Sequence, residues 1–143
     1  AADLAAVLKG ASAVLSCVGI APGGANQRDG NGLVNVKIAD AAMAAGIDKF
    51  VYLSVASELA NGPAKFLLGD YLKGKGEAEA AVVKDFPASS LVLKPGIIAG
   101  APPGELRPPG PPGMTPVPVE AVAKAAVAGA LGKVAGTVDG NAN

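Results

Sequence analysis

The chain has 143 residues, of which 50% are hydrophobic and 3% aromatic, and its 12 basic and 12 acidic residues give a formal net charge of zero. This length suits one domain with a core of Ala, Val, Leu and Ile, and the balanced charge offers no basic surface for nucleic acid. There is no His and only one cysteine, Cys17, which excludes a disulfide framework and the usual metal or Ser-His sites.

The sequence contains no apolar run of transmembrane length, and we identify no signal or transit peptide in it. Its first residue is Ala rather than Met, so we expect a processed chain or a piece of a longer one. Cys17 lies inside an apolar run and is interpreted as a small core residue rather than a nucleophile.

The first half of the chain predicts the order helix, strand, helix, strand. Residues 3–9 are typical of the end of a helix, and the continuous apolar run 13–20 predicts a strand buried on both faces of a parallel sheet. Residues 31–45 predict the next helix, and residues 46–54 predict a turn into a second buried strand that ends in a polar residue. This order predicts a right-handed βαβ crossover. The apolar stripe of the helix is Val34, Ile38, Ala41 and Ala45.

The second half predicts two more helices and another strand. A polar connection over residues 57–70 leads into a helix that runs to about residue 84, and residues 91–96 predict a strand ending in Pro-Gly. Residues 101–118 hold eight of the twelve prolines, which predicts an irregular, extended or partly disordered loop. Residues 119–131 predict a last helix, followed by a frayed tail or a short edge strand. The buried stripe of that helix is expected to be Val119, Val122, Ala126 and Ala130.

Tyr71 and Lys75 lie four residues apart in the helix after the connection and therefore share one face. An isolated phenol, with a pKa of about 10, is a poor acid or base at neutral pH, but an adjacent ammonium favours the phenolate and lowers that pKa. Such a tyrosine can exchange a proton with an alcohol or carbonyl while a nicotinamide transfers a hydride. On these two residues alone, a surface helix with a solvated lysine is the commoner explanation. The same stripe continues through Gly74, Ala78 and Val82.

This order of segments resembles the short-chain dehydrogenase/reductase superfamily, specifically its extended and atypical members. In that family a strand ending in Ser precedes Tyr-x-x-x-Lys, and a strand ending in Arg-Pro-Gly follows it. Residues 70–79, 85–87 and 91–100, together with 31–35 and 115–123, are similar to one atypical branch. That branch contains NAD(P)-binding-domain proteins of plastid plastoglobules and a mitochondrial relative associated with coenzyme Q biosynthesis. The resemblance implies an α/β fold with a partial Rossmann-like, doubly wound parallel sheet, and an organellar location in chloroplast or mitochondrion.

The resemblance also implies roles for individual residues. Tyr71 would be the acid/base, and Lys75 would hold the nicotinamide ribose and lower the tyrosine pKa. Pro95 and Gly96 would lie against the nicotinamide end of an NAD or NADP cofactor. Gly19, at the end of the first predicted strand, would approach the adenosine half.

Other positions depart from the family pattern. Ser54 would bind the substrate oxygen, but in many extended members that serine lies one place later, where this chain has Val55. Ser57 is an alternative source of the hydroxyl. Lys94 stands where Arg is usual, which keeps the charge but loses the planar fork. Asn31 would begin a helix and serve the structure rather than the chemistry.

A complete Rossmann domain opens with a strand, a Gly-x-x-Gly-x-x-Gly turn and a helix whose N-terminus receives the pyrophosphate. No segment before residue 13 has that pattern. We therefore expect residues 1–143 to be the C-terminal portion of one NAD(P)-binding Rossmann domain.

Two function classes follow from the resemblance. The first is an NAD(P)-dependent oxidoreductase or isomerase acting on a small carbonyl or alcohol, with a quinone or isoprenoid substrate suggested by the branch. The second is a non-catalytic NAD(P)-binding or scaffold protein in an organellar quinone- or lipid-related assembly. Intact Tyr71 and Lys75 favour the first class, whereas Val55, Lys94 and the lack of a phosphate-binding turn favour the second. A metal site is not expected, and peripheral membrane association stays open.

Overall fold

A computed structural model describes residues 3–100 and 115–140. Its main sheet has four parallel strands in the order β1-β2-β3-β6. In register, Ser16 of β1 lies opposite Tyr52 of β2, which lies opposite Val92 of β3. Parallel neighbours require crossovers, and helices cover both faces of the sheet, so the predicted α/β doubly wound architecture is confirmed. The strands are β1 Val14–Ser16, β2 Phe50–Leu53, β3 Ser90–Lys94 and β6 Gly136–Asp139.

Six α-helices and one 3₁₀ turn precede or connect these strands within the described ranges. A second, two-stranded parallel sheet joins β4 to β5. The helices are α1 Leu4–Leu8, α2 Gln27–Asn31, α3 Leu33–Ala44, α4 Ser57–Asn61, α5 Gly69–Asp85 and α6 Val119–Ala130, the 3₁₀ turn is Pro63–Phe66, and the short strands are β4 Ile98–Ala99 and β5 Val117–Pro118. No helix in the described part of the chain is long and apolar enough to cross a membrane.

Alternate side chains of β2 pack into two separate hydrophobic cores, one on each face of the sheet. Phe50 and Tyr52 point toward α3 and α5, where they are fully buried against small helix residues such as Ala39 and Ala78. Val51 points to the opposite face, where α6 packs through Ala126. Because the chain is poor in aromatic residues, small side chains must bring the helices close to the sheet, and the ring pair Phe50–Phe86, with centroids 5.3 Å apart, fills the far end of the first core.

The first strand differs from its prediction. It covers Val14–Ser16 instead of residues 13–20, and it lies at the edge of the main sheet. Val14 packs into the core beneath α3, but Leu15 on the other face is 42% exposed. The expectation of burial on both faces was wrong because α6 covers that face of β1 only in part and leaves an apolar groove beside Leu15.

The helix predicted over residues 31–45 is divided at Gly32 into α2 and α3. Its buried face is also one position away from the predicted stripe, since Val34 is 39% exposed and Ala45 is exposed. The apolar pattern failed here because one of the buried positions, at the start of the helix, is a polar residue, Asn35. The buried positions of α3 are Asn35, Ala39 and Ala42.

The C-terminal predictions hold in part. Ala126 is buried and Val122 and Ala130 pack against the core, whereas Val119 is 37% exposed. The tail forms β6, an edge strand beside β3, which is one of the two predicted alternatives. Residues 101–114 of the predicted proline-rich loop lie outside the described residues. The remainder ends in β5, an extended edge position that proline tolerates.

Close packing of α6 generates a stability prediction. A Cβ atom on Gly129 would lie 2.5 Å from Leu91 Cδ2 and 2.9 Å from Val51 Cγ2. Replacing Gly129 with Ala should therefore lower the free energy of unfolding by about 1–3 kcal/mol through overpacking, despite the better helix propensity of Ala. The midpoint of urea unfolding of the whole protein measures the change.

Gly76→Ala is the matched control, because a Cβ atom on Gly76 in α5 meets nothing within 4 Å. This substitution should raise the free energy of unfolding by about 0.5–1 kcal/mol, since helix propensity acts alone there. Equal effects of the two substitutions would contradict the described packing of α6 on β2 and β3.

Candidate functional site

The site is built around Lys75, whose ammonium lies at the carboxyl end of β2. Its side chain is 7% exposed, and Nζ donates a hydrogen bond to the carbonyl oxygen of Leu53 at 3.0 Å. Nζ also lies 5.2 Å from the ring centroid of Tyr52 and 5.9 Å from that of Tyr71. The helix positions this group because α5 packs through Gly74, Lys75, Ala78 and Val82, which confirms the predicted stripe. Carboxyl ends of parallel strands are where open α/β sheets bind ligands.

Gly19 lies beside Lys75, in the loop that follows β1. A Cβ atom there would lie 2.6 Å from Asn31 Oδ1 and 3.5 Å from Lys75 Nζ. Only glycine fits so close to a buried amide, and its absent side chain leaves the backbone open next to the ammonium. The sequence-predicted residues Gly19, Tyr71 and Lys75 are thus brought together.

Two buried asparagines hold the loop that contains Gly19. The amide of Asn35 donates to Val18 O at 3.1 Å, and its oxygen accepts a hydrogen bond of 2.6 Å from Ser16 Oγ. Asn31 accepts from the backbone N–H of Ile20 at 3.2 Å and donates to its carbonyl at 3.0 Å. These hydrogen bonds fix the backbone of the loop after β1, which is not paired with another strand.

Asn31 was predicted to begin a helix, but it is the last residue of α2. Asn35 was missed altogether. The signal was present in the sequence, because two amides four residues apart must lie on the same side of neighbouring helical turns.

The pKa of Tyr71 moves opposite to the expectation from sequence. Burial raises it above its ordinary value in the described structure. The pKa of Lys75 is lowered, because burial outweighs the opposing influence of the Cys17 thiolate and the Glu79 carboxylate. Burial, followed by the charges of Glu79 and Tyr71, likewise raises the pKa of Tyr52. Both phenols are therefore protonated at neutral pH. The prediction that Lys75 lowers the pKa of Tyr71 was wrong for the described structure.

Ser54 ends the buried segment after β2 and is 6% exposed. Its hydroxyl donates a hydrogen bond to Oε1 of Glu79, a residue that sequence reasoning did not single out. The other carboxylate oxygen of Glu79 accepts a hydrogen bond of 2.9 Å from Lys94 Nζ at the end of β3. Glu79 follows Lys75 by four residues, as Lys75 follows Tyr71, and that spacing could have identified it.

The remaining predicted residues lie at the same edge of the sheet. Pro95 is buried directly after β3, and its carbonyl accepts a hydrogen bond of 2.9 Å from the N–H of Ala56. Gly96 follows it and is half-buried. Val55 is buried, and Ser57 begins α4 with its backbone N–H donating to the Asp139 carboxylate at 2.9 Å. Burial acts to raise the pKa of the Asp139 carboxyl, but hydrogen bonds from Ser57 and Gly140 and the charge of Lys94 together lower it below its ordinary value.

Cys17 is exposed, so its interpretation as a core residue was wrong. It lines an apolar groove of about 240 Å³ between the sheet and α6, together with Leu15 and Val127. Surrounding atoms still shield the thiol partly from water, and this partial desolvation raises its pKa against the influence of Lys75. Within residues 3–100 and 115–140, no cluster of three or more His, Cys, Asp or Glu residues could hold a metal ion.

Comparison with known proteins agrees with this geometry. The chain is 38% identical over 94 residues to an uncharacterized chloroplastic protein of Arabidopsis thaliana, and the match covers 66% of this chain and 31% of the relative. The chain therefore matches about a third of the length of this curated relative.

Two solved structures share the fold. The UDP-N-acetylglucosamine 4-epimerase from Methanobrevibacter ruminantium M1, in complex with UDP-N-acetylmuramic acid, superposes with a TM-score of 0.73 and 19% identity over 96% of this chain and 57% of its own. A putative NAD-dependent epimerase/dehydratase from Bacillus halodurans gives a TM-score of 0.70 and 21% identity over 94% of this chain and 65% of its own. At these identities the likeness establishes a Rossmann-like fold.

Residues 1–133 match the family described as NAD(P)H-binding. This match spans most of the chain and agrees with a parallel sheet that gathers a glycine, a buried lysine and a tyrosine at its carboxyl edge. The chain belongs to the NAD(P)H-binding family.

Proposed function

We propose that the protein is an NAD(P)-dependent oxidoreductase or isomerase of the atypical short-chain dehydrogenase/reductase type, in which Lys75 binds the nicotinamide ribose and Tyr71 is the acid/base. The observation that carries the proposal is the hydrogen bonding of Lys75. An ammonium has three N–H donors, and one of them donates to Leu53 O. Within the described ranges the other two have no acceptor, although the side chain is buried. Two adjacent ribose hydroxyls are acceptors of the right kind and number.

The neighbouring residues fit the same half of the cofactor. Gly19 leaves open backbone beside Lys75, so we assign it to the same ribose rather than to the adenosine half that the family resemblance implies. Pro95 and Gly96 continue β3 at the carboxyl edge of the sheet, and we assign them to the nicotinamide end. A bound dinucleotide would supply the hydride, and these residues would orient it.

Tyr71 would act first as an acid. Its raised pKa keeps the phenol protonated at neutral pH, so it can donate a proton to a carbonyl oxygen that is being reduced. The phenolate left behind would be stabilised by the Lys75 ammonium near its ring. The Ser54 hydroxyl donates its hydrogen bond to Glu79, and its oxygen can still accept a hydrogen bond from a substrate hydroxyl.

Substrate and location are proposed more broadly. A small carbonyl or alcohol suits Tyr71, and a quinone or isoprenoid substrate rests on the branch resemblance. The Methanobrevibacter epimerase holds a UDP-sugar, which makes a nucleotide sugar a further candidate. The chloroplastic Arabidopsis relative favours a chloroplast over a mitochondrion. Both NAD and NADP remain candidates.

The second candidate is a protein that binds NAD(P) without turnover, or a scaffold in an organellar quinone- or lipid-related assembly. The engagement of Ser54 by Glu79, and the buried Val55 at the family's serine position, favour this alternative. It differs from the first candidate in one respect that can be measured, namely the dependence of turnover on Tyr71.

The proposed roles predict different outcomes for Tyr71→Phe and Lys75→Ala in the whole protein. Tyr71→Phe should leave the dissociation constant for NADPH or NADH nearly unchanged and abolish turnover, because it removes the proton but not the ribose contact. Lys75→Ala should weaken both. Fluorescence titration and a turnover assay measure the two effects. Unchanged dinucleotide affinity of Lys75→Ala would defeat the role given to Lys75, and turnover by Tyr71→Phe would defeat that of Tyr71.

We also propose that residues 1–143 are the C-terminal portion of a Rossmann domain whose sheet continues beyond β1. The support is the outer edge of β1, which has no strand partner among the described residues, together with the exposed apolar side chain of Leu15. A further parallel strand and a helix over the apolar groove would satisfy both, and the N-terminus of such a helix would receive the pyrophosphate.

This arrangement predicts the behaviour of residues 1–143 alone. By itself this segment leaves the outer backbone edge of β1 unpaired and the apolar side chain of Leu15 uncovered. The isolated segment should therefore give a broad or absent thermal transition in circular dichroism, and NADPH should not raise it. A sharp transition that micromolar NADPH shifts upward would show that these residues form a complete cofactor site.

A further inference from the structure

Glu79 is the one carboxylate within the described ranges that joins α5 to the ends of two central strands. Its two oxygens accept hydrogen bonds from Ser54, after β2, and from Lys94, the last residue of β3. The ion pair with Lys94 is sheltered, since the two side chains are 13% and 23% exposed. A charge-assisted contact in such surroundings holds its geometry better than a surface pair does.

Glu79 also lies one helical turn after Lys75, on the same face of α5. Among residues 3–100 and 115–140, Lys75 itself forms no ion pair with a carboxylate. Its other neighbours are the rings of Tyr52 on β2 and Tyr71 on α5, and the thiol of Cys17 after β1. Cys17 and Glu79 both act on the pKa of Lys75, but the raised pKa of Cys17 leaves its thiol uncharged at neutral pH, so Glu79 is the charged acidic group that acts on the ammonium there.

We propose that Glu79 is a positioning residue for Lys75: it fastens α5 to the ends of β2 and β3, and its negative charge favours the protonated form of the buried amine where it meets the ligand. The helix contact and the charge are two effects of one side chain. This inference rests on the ribose-binding role proposed for Lys75, but its physical content, a coupling between two side chains, is measurable without a ligand.

The coupling has a definite sign. Burial disfavours the charged form of Lys75, and the Glu79 carboxylate opposes that effect. Removing the carboxylate removes an influence that raises the pKa of Lys75. Lys75 should therefore lose its proton at a lower pH than in the wild type. A residue that only fastened the helix would change stability without moving this titration.

The experiment is a pH titration of the whole protein with ¹³Cε-labelled lysine, followed by nuclear magnetic resonance. The Lys75 signal is assigned by its loss in Lys75→Arg. In Glu79→Gln we expect the titration midpoint of Lys75 to move to lower pH. NADPH affinity should also be lost at a lower pH than in the wild type, because the ribose contact needs the protonated amine.

Glu77→Gln is the matched control, since Glu77 lies on the same helix but pairs with Arg28 on the exposed side. In Glu77→Gln the titration midpoint of Lys75 should equal that of the wild type. If Glu79→Gln does not fold, Glu79→Met fills a similar volume without a buried amide and should give the same shift. A midpoint unchanged in a folded Glu79 variant, or failure of both variants to fold while Glu77→Gln folds, overturns the proposal.

The outcome is separable from that of the proposed function. A wild-type protein that shows the Lys75 coupling but binds neither NADPH nor NADH would contradict the cofactor role and leave the role of Glu79 standing. A wild type that binds NADPH while Glu79→Gln leaves the Lys75 midpoint in place would contradict only the inference about Glu79.

Discussion

The burial of one ammonium group at the carboxyl edge of the sheet constrains the rest of this structure. Moving a charged amine out of water costs several kcal/mol, and a hydrogen bond to a charged group returns only about 1.5–3 kcal/mol. The single bond from Lys75 to Leu53 O therefore does not offset the cost by itself. Lys75 stays buried because Gly74, Ala78 and Val82 lock α5 against the sheet and α2. A buried charge with unused donors is typical of a site prepared for a ligand.

The two sides of the sheet are built differently around this group. On the side of α3 and α5, buried amides, aromatic rings and a sheltered ion pair hold the loop after β1 and the strand ends in place. On the side of α6, the face of β1 is an apolar groove with exposed Leu15 and Cys17. The side of α3 and α5 contains Lys75, the group proposed to bind the nicotinamide ribose, whereas the apolar groove on the side of α6 is suited to packing against further structure.

Sequence patterns located the elements whose burial is uniform. The strand Phe50–Leu53 and the helix Gly69–Asp85 lie where they were predicted, because a continuous apolar run and a regular stripe leave few alternatives. The sequence patterns failed where a polar residue is buried, as at Asn35, or an apolar residue is exposed, as at Leu15. Predictions from periodicity assume that apolar residues are buried and polar residues are exposed. The sign of the Tyr71 pKa shift was missed for a related reason. A motif gives spacing along the helix, but the shift depends on burial and on a distance to Lys75 that only folding sets.

The central claim is that Lys75 holds the nicotinamide ribose of a dinucleotide. A crystal structure of the whole protein with NADPH or NADH tests it most directly. The account predicts ribose hydroxyls within about 2.7–3.2 Å of Lys75 Nζ, with the Leu53 bond retained and backbone of Gly19 beside the ribose. A dinucleotide bound with its ribose away from Lys75, for example in the apolar groove beneath α6, would contradict it.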